Sequence, residues 1–365
     1  MPERNTMKKI QELQQVKGDA YDYYIAGNED TDLFEKIFLV DDIVEEICKP
    51  DKYFLIGEKG SGKTAYSVYM SKSDKINSFC SISLVENTLY QRFLNMKRQK
   101  ALELSSFKDV WINLIYLILA EKIRKEYGET FFSSMKYKQL SKAIDVFYSD
   151  AFKPEFVNAF EFVDNASASI NSMMKQGLFS TGTKASAETS QKYVEQSFQI
   201  SLLKIRDGFE KAFMSVNLKK PTILFVDGID ARPRDIDNEQ YFECLVGLVN
   251  AVLEMNQSFL KEKQIKIMLL IRPDIMYKMP VHNMNQKLRN NSVLLNWVTS
   301  YRKYIDSKLF KIADDYFMKQ QDYSYELGEC WNYYFPYKVE YQEKWKAPDL
   351  SLIHISEPTR LRCIS

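Results

Sequence analysis

The sequence is poor in the residues that build histidine, zinc and disulfide sites. Its 365 residues include two histidines, His282 and His354, and five cysteines, none of them spaced as CxxC. Two histidines leave almost no room for histidine-based triads or metal centres. Scattered cysteines argue against a zinc site or a disulfide framework and are typical of a reducing cytoplasm. We therefore expect a cytoplasmic protein.

Long hydrophobic runs and a strong net charge are also missing. The most apolar stretch, Trp111–Ala120, has about half the length that a membrane-spanning helix needs. Met1–Lys17 is polar and charged, unlike a secretory signal. The net charge is +1, so no global basic field favours nucleic acid. We expect no membrane association, and the length suffices for one large or two modest domains.

What is present is a glycine-rich pattern, GEKGSGKT, at Gly57–Thr64. Tyr53–Ile56 before it predicts a short buried strand, and Ala65–Met70 after it predicts the opening of a helix. Glycines let the backbone turn tightly and approach phosphate oxygens, and the start of a helix favours negative charge. Strand, loop and helix together predict the phosphate-binding loop of P-loop NTPases.

The loop chemistry assigns roles to its residues. Lys63 would reach the β- and γ-phosphates of ATP, and the Thr64 hydroxyl would ligate Mg²⁺. The predicted nucleotide-binding residues are Gly57, Glu58, Lys59, Gly60, Ser61, Gly62, Lys63, Thr64 and Ala65.

Apolar segments and helical periodicity predict the remaining elements. Strands are predicted at Tyr53–Ile56, Ser78–Leu84, Thr222–Val226, Ile265–Ile271 and Ser292–Leu295. Helices are predicted at Met7–Val16, Asp32–Cys48, Phe107–Tyr127, Asn238–Met255 and Tyr301–Met318. This alternation predicts an α/β fold with a mainly parallel sheet and a ligand at its carboxyl edge.

A second motif, ILFVDGID at Ile223–Asp230, is an apolar segment that ends in an aspartate, and this is typical of a Walker B strand. Asp227 at the strand end would hold Mg²⁺, often through water. Asp230 is the best placed residue to orient or activate the attacking water. The alternatives are a capping residue at the strand end for Asp227 and a turn aspartate after Gly228 for Asp230.

The spacing of these motifs predicts an insertion. Asp227 follows Thr64 by 163 residues, too many for a minimal fold. We expect a helical insertion at about 105–215, with a mobile loop at Asp164–Ser190 that is rich in small and polar residues. The predicted domains are a helical N-terminal segment at 1–50, a P-loop NTPase domain at 51–300 and a helical lid or truncated C-terminal domain at 301–349.

Arginines near the strand ends are candidates for stabilising phosphate charge. Arg272 ends the strand after Walker B and is predicted to sense the γ-phosphate. Arg232, Arg234 and Arg289 would act in cis or on a neighbouring subunit, or are solvated surface arginines. The predicted catalytic residues are Lys63, Asp230 and Arg272.

The C-terminal end differs from the rest of the sequence. Leu350–Arg360 reads LSLIHISEPTR, which matches one reading frame of a common transposon-end sequencing adapter. We expect the native sequence to diverge after about Asp349 and residues 350–365 to be non-native. His354 and Cys363 therefore enter no functional hypothesis.

Together with GEKGSGKT and ILFVDGID, the segment MLLIRPD at Met268–Asp274 resembles STAND ATPases, especially NACHT-like ones, and AAA-type ATPases of bacterial defence and mobile-element loci. The resemblance covers about Tyr53–Leu295 with a long unmatched middle. It implies an additional-strand sheet with the Walker B strand beside the P-loop strand. It also implies that Asp227 holds Mg²⁺, Asp230 is the catalytic acid and Arg272 the sensor.

The sequence departs from that family pattern at Ala231, where NACHT proteins usually carry a second acid, and no sensor-two arginine is recognisable. The resemblance implies an ATPase switch of the kind found in bacterial anti-phage defence, which acts on a protein partner or a second copy of the chain. The absence of NKxD and LSGGQ-like motifs argues against a GTPase and a transporter ATPase.

Two alternatives stay open. A DNA-stimulated repair or motor ATPase would use local basic stretches such as Lys97–Lys100 and Lys136–Lys142. A scaffold that holds ATP without hydrolysing it is the other alternative.

Overall fold

The computed structural model describes the chain in several ranges. They are residues 7–25, 28–85, 107–132, 137–150, 202–229, 238–279, 288, 290–296, 304–336, 340–341 and 345–346. Several sequence-based predictions lie outside these ranges: those for Asp230, Arg232, Arg234, Arg289, His282, Lys97–Lys100, the Asp164–Ser190 segment and the adapter-like residues 350–365.

Five strands form one parallel sheet, and two short strands pair separately. The sheet strands are β1 (Phe54–Gly57), β2 (Phe79–Leu84), β3 (Thr222–Asp227), β4 (Ile265–Ile271) and β5 (Ser292–Leu295). The antiparallel pair is β6 (Glu340–Tyr341) with β7 (Trp345–Lys346). Each predicted sheet strand lies within one residue of the observed ends, and the α/β class with a parallel sheet is confirmed.

The strand order across the sheet is β2-β3-β4-β1-β5. Because β4 lies between β1 and β3, the expectation that the Walker B strand lies beside the P-loop strand is wrong. In the register, β2 pairs with β3 from Phe79↔Thr222 to Leu84↔Asp227, and β3 pairs with β4 from Thr222↔Ile265. All residues of β1, β3 and β4 are buried, as their apolar sequences predict. Those sequences do not indicate which strands are neighbours in the sheet.

The helices in the described residues lie before, between and after the sheet strands. They are α1 (Ala20–Ile25), α2 (Asn28–Ile37), α3 (Asp42–Cys48), α4 (Lys63–Lys72), α5 (Phe107–Phe132), α6 (Lys138–Asp150), α7 (202–215), α8 (Asn238–Gln257), α9 (Pro273–Lys278), α10 (Lys308–Met318) and α11 (Glu329–Tyr334). Single 3-10 turns lie at Ile10–Glu12, Phe259–Lys261 and Tyr304–Asp306. The described residues between β2 and β3 are mainly helical, and the predicted insertion at about 105–215 remains a prediction.

The single helix predicted at Asp32–Cys48 is wrong, because two helices, α2 and α3, occupy this segment. Asp41 has an extended backbone, and its side chain accepts the Ile43 N–H as the N-cap of α3. Between the helices, the Phe38 ring stacks on Tyr69 at 4.2 Å. The apolar residues of this segment follow a helical period, but the chain leaves the helix where Phe38 packs on Tyr69 and Asp41 starts a new helix.

Two further helix predictions are corrected. Met7–Val16 contains only the 3-10 turn Ile10–Glu12, since Met7 and Leu13 are buried in a cluster of side chains from α10 and α11. Within the predicted helix Tyr301–Met318, the described part begins with a 3-10 turn, and α10 starts only after Ser307. The Ser307 side chain accepts the Phe310 N–H and thus fixes the start of α10.

The chain divides into two compact units. The first comprises Met1–Lys49, Leu55–Ile76 and Val293–Ser365, and the second comprises Pro50–Phe54 and Asn77–Ser292. The predicted domain boundaries remain predictions.

In the first unit, the N-terminal segment packs on the C-terminal helices. The shared cluster consists of Met7, Leu13, Phe310, Ala313, Phe317, Cys330 and Trp331. The Tyr334 hydroxyl donates to the Lys8 carbonyl at 2.6 Å. The backbone of this non-helical segment is thus held by residues more than 300 positions away.

In the second unit, α5 and α8 pack closely. Trp111 Nε1 donates to the Cys244 carbonyl at 3.1 Å, and a Cβ on Gly247 would lie 2.6 Å from the Cβ of Phe107. The buried Asn256 side chain bonds both the N–H and the carbonyl of Ile267 in β4. Helix α8 is thereby fixed to the strand that ends before Arg272.

Within the described part of the chain, no helix has the length and apolar character needed to cross a membrane.

Candidate functional site

The loop between β1 and α4 has the backbone that its glycines predict. Gly60 and Gly62 have φ angles of 81° and 87°, in the left-handed region, and Gly62 is the N-cap of α4. A residue with a Cβ is strained there by roughly 1–2 kcal/mol. Glycine at these two positions lets the chain reverse between a buried strand and a helix start.

Gly57 is required for close approach rather than for its φ angle. A Cβ at this position would lie 2.2 Å from Ser61 Oγ and 3.0 Å from the Cβ of Leu295. The Ser61 N–H donates to the Glu58 carbonyl at 3.1 Å and closes the loop as a tight turn. The end of β1 and the loop are therefore in direct contact.

Lys63 is the first residue of α4, and it is buried, with only 7% of its surface exposed. Its Nζ donates to the Gly57 carbonyl at 2.8 Å and to the Glu58 carbonyl at 3.2 Å. A buried ammonium group needs such acceptors because its desolvation is costly. The loop thus holds a positive charge at the entrance of the helix.

The other loop residues differ in how exposed they are to solvent. Glu58, Lys59 and Gly60 are exposed, Ser61 is buried, and Gly62, Thr64 and Ala65 are half-buried. Helix α4 has ten residues and no acidic side chain in its first turn. Its N–H groups and its dipole therefore favour an anion at this end.

Asp227 ends β3 as a buried residue, with 8% of its surface exposed. Its Oδ1 accepts the Gly228 N–H at 2.7 Å, and its carbonyl accepts the Val85 N–H at 2.7 Å. Gly228 has φ 84°, and a Cβ there would lie 3.1 Å from the Val85 carbonyl oxygen. These contacts fix the position of the Asp227 carboxylate at the end of β3.

Arg272 follows β4 and pairs with a nearby carboxylate. Its Nε and Nη2 atoms donate to the two oxygens of Asp274 at 2.9 and 2.8 Å. Both residues line a pocket of about 400 Å³ together with Asn238, Tyr241, Phe242, Ile275 and Lys278. The sequence did not predict Asp274 as the partner of Arg272, although the spacing of two residues at a helix start makes the pair locally accessible.

The predicted site residues fall in different units. The loop residues from Gly57 to Ala65 belong to the first unit, whereas Asp227 and Arg272 belong to the second. Asp230 lies outside the described residues.

Thr64 and Asp227, which belong to different units, each carry an oxygen donor of the type that Mg²⁺ accepts. Mg²⁺ in nucleotide sites is usually held by one or two protein oxygens plus phosphates and waters. The Thr64 hydroxyl and the Asp227 carboxylate are oxygen donors of this kind. The described residues contain no cluster of three or more His, Cys, Asp or Glu side chains that could hold a metal.

A contact that the sequence did not predict lies on the back of α4. The Tyr66 hydroxyl donates to Asp41 Oδ1 at 2.9 Å, and Lys308 Nζ lies 2.5 Å from Asp41 Oδ2. The only local signal was the aspartate that precedes α3, which indicates a helix start. Its partners are 25 and 267 residues away, beyond the reach of any sequence period.

Comparison of the chain with protein-family models, with curated proteins and with solved structures gives no match.

Proposed function

We propose that the chain is a P-loop ATPase that binds ATP with Mg²⁺ and hydrolyses it. The observation that carries this proposal is the geometry of Lys63, whose buried ammonium group is held by the carbonyls of Gly57 and Glu58 at the start of α4. A positive charge, two glycines in the left-handed region and a helix start form a binding site for phosphate oxygens.

In this proposal, Lys63 moves from its carbonyl partners to the β- and γ-phosphates. The N–H groups of the loop and of the first turn of α4 bind the same phosphates. Thr64 and Asp227 are the residues that would hold Mg²⁺, and the ion would supply positive charge against the charge that develops on the phosphates. Asp230 orients the attacking water.

The strand order supports the additional-strand class of P-loop ATPases, since β4 separates β1 from β3. In a parallel sheet the strands end at one edge, where ligands of α/β proteins bind. Arg272 at the end of β4 is the proposed sensor of the γ-phosphate. It would exchange Asp274 for phosphate oxygens on ATP binding.

The biological role rests on the resemblance to NACHT-like and AAA-type ATPases. We infer a nucleotide-controlled switch in bacterial defence, which acts on a protein partner or on further copies of the chain. ATP is preferred over GTP because the sequence has no guanine-reading NKxD motif.

The test is the binding and the turnover of ATP and GTP by the chain and by Lys63→Ala, with and without duplex DNA. Turnover of ATP that is lost in Lys63→Ala and unaffected by DNA supports the switch. Strong stimulation by DNA favours the repair or motor ATPase instead. Equal ATP binding by both proteins contradicts the proposal.

A scaffold that holds ATP without hydrolysing it is the second candidate. The bidentate pair of Arg272 with Asp274 favours it, because a paired guanidinium is not available to stabilise a transition state. Tight ATP binding with no turnover by the unchanged protein would identify this function, and turnover that appears in Asp274→Asn would show that the pairing of Arg272 is the cause. Turnover by the unchanged protein would favour the ATPase.

A further inference from the structure

The carboxylate of Asp41 joins three segments of the first unit. It accepts the Ile43 N–H at 3.2 Å and the Tyr66 hydroxyl at 2.9 Å through Oδ1, and it pairs with Lys308 through Oδ2 at 2.5 Å. The Asp41 side chain is 13% exposed. A carboxylate that is this buried and this fully bonded has a fixed position.

Tyr66 connects Asp41 to the start of α4. Its N–H donates to the Gly62 carbonyl at 3.0 Å, so it closes the first turn of the helix whose first two residues are Lys63 and Thr64. The Phe38 ring packs edge-on against the Tyr66 ring at 5.1 Å. Any displacement of Tyr66 therefore displaces the helix turn that follows the phosphate-binding loop.

The hydroxyl of Tyr66 acts as a neutral donor. Burial raises the pKa of Tyr66 well above its ordinary value, and the Asp41 carboxylate raises it further. A buried hydroxyl without an acceptor would be unfavourable, so the contact specifies where the helix turn lies.

Lys308 supplies the third partner from the C-terminal region. It is the first residue of α10, where the helix dipole disfavours a positive charge. The ion pair with Asp41 offsets this penalty, and its lysine side chain is 37% exposed. Helix α10 is itself held by Phe310 and Phe317 in the cluster with Trp331.

We propose that Asp41 is a positioning residue for the phosphate-binding loop, acting through Tyr66, and that Lys308 makes this positioning depend on the docked α10. The proposal rests on the proposed nucleotide function and concerns the regulation of that site. Undocking of α10 removes Lys308 and loosens the first turn of α4, which lowers nucleotide affinity. By linkage, bound nucleotide favours the docked α10 to the same degree.

The test compares Tyr66→Phe, Lys308→Met and the double variant with two matched controls. Tyr69→Phe removes a hydroxyl from the same helix, and Lys311→Met removes an ammonium group from α10. The readouts are the dissociation constant of ATP with Mg²⁺, hydrogen exchange of residues 63–72 without nucleotide, and the melting temperature.

Each of the two single variants should weaken ATP binding about three- to tenfold, because only part of the free energy of a hydrogen bond to a charged group is transmitted to the phosphate-binding loop. The double variant should lose little more than either single variant, because both act through Asp41. Exchange at residues 63–72 should accelerate in Lys308→Met. Both controls should bind ATP within about twofold of the unchanged protein.

A merely structural role would lower the melting temperature and leave ATP affinity and exchange at residues 63–72 unchanged, and this result would overturn the proposal. A different result would show that the proposed nucleotide function is wrong: the unchanged protein would bind no ATP. In that case the exchange experiment decides: unchanged exchange in Lys308→Met contradicts the positioning role, and accelerated exchange supports it.

Discussion

The ammonium nitrogen of Lys63 lies 2.8 Å from the carbonyl oxygen of Gly57, within the loop that joins β1 to α4. The charge that would meet phosphate is therefore held in place by the backbone of the same loop. Because these acceptors are neutral, a triphosphate is a stronger partner for the ammonium group. In the proposed function, the ammonium group would therefore exchange its carbonyl contacts for phosphate contacts.

Replacing Lys63 tests this directly. Lys63→Met keeps the aliphatic stem and removes the charge, and it should weaken ATP binding on the order of 100-fold, since two charge-assisted hydrogen bonds are lost. Titration calorimetry with ATP and Mg²⁺ measures the change. Lys75→Met, which alters an exposed lysine, is the control and should bind ATP normally. Similar affinities for the two variants would refute the role of Lys63.

Asp227→Asn separates the charge of Asp227 from its structural contact. The asparagine carbonyl can still accept the Gly228 N–H, so the free energy of unfolding should change by less than about 1 kcal/mol. Mg²⁺-dependent ATP turnover should fall on the order of 100-fold, because the carboxylate is the proposed metal ligand. Turnover is measured against Mg²⁺ concentration. A variant with normal turnover and lowered stability would show that Asp227 only caps the strand.

Gly62→Ala introduces a Cβ where φ is 87°. The left-handed backbone should cost about 1–2 kcal/mol of unfolding free energy. Gly208→Ala is the matched control, because Gly208 lies within α7 and nothing approaches the position of its Cβ within 4 Å. That variant should be more stable by about 1 kcal/mol through helix propensity. Urea unfolding distinguishes the two, and equal effects would contradict the loop geometry.

Asp314→Asn tests a buried carboxylate that holds the start of α11. Its two oxygens accept the N–H groups of Gly328 at 2.6 Å and Trp331 at 2.9 Å. An asparagine offers one acceptor, so one N–H group would face an amide donor and the protein should lose about 1–3 kcal/mol. Asp322→Asn, at a side chain that is 72% exposed, should change the unfolding free energy by less than about 1 kcal/mol.

The pH dependence of Asp314 has a defined sign. Burial raises its pKa above the ordinary value of 3.8, and the bonds from Gly328 and Trp331 only partly oppose this. The folded state therefore binds the proton more tightly than the unfolded state. This contribution to stability is complete below pH 3.8 and is lost as pH rises through the raised pKa. The stability advantage over Asp314→Asn should shrink as pH rises across this window, in unfolding experiments at several pH values.

Cysteine reactivity should follow burial. Of the cysteines in the described ranges, Cys48 is exposed, whereas Cys80, Cys244 and Cys330 are buried. Burial raises the pKa of Cys330 to about 12, so almost no thiolate forms at pH 8. Peptide mapping after brief N-ethylmaleimide treatment should find Cys48 modified and the three buried thiols unmodified until denaturant is added. Rapid modification of Cys330 in the folded protein would contradict the packing around α11.

Local patterns predicted much of the fold. The apolar runs that form β1 to β5 were recognised almost to the residue, because a buried strand needs continuous apolar side chains. The glycines of the loop were recognised because tight turns and close approach require them. Both signals are contained within fewer than ten residues of the chain.

Signals that depend on distant residues were not recognised. The periodicity of Asp32–Cys48 concealed the break at Asp41, whose carboxylate is engaged by Tyr66 and Lys308. The pairing of Arg272 with Asp274 was also not predicted, although these two residues are close in sequence, and the role of Arg272 toward the γ-phosphate stays a prediction. A sequence shows which side chains are charged, but it does not show which of them pair in the folded structure.

The sequence by itself thus determined the α/β class, the five strands and the glycine-rich loop, since backbone sterics and the burial of apolar side chains act over short stretches. Only the tertiary structure decided that β4 separates β1 from β3, that α2 and α3 are distinct helices, and that Asp41 joins Tyr66 to Lys308. The physical reason is that strand neighbours and ion pairs are selected by packing between segments, and that selection leaves no period along the chain.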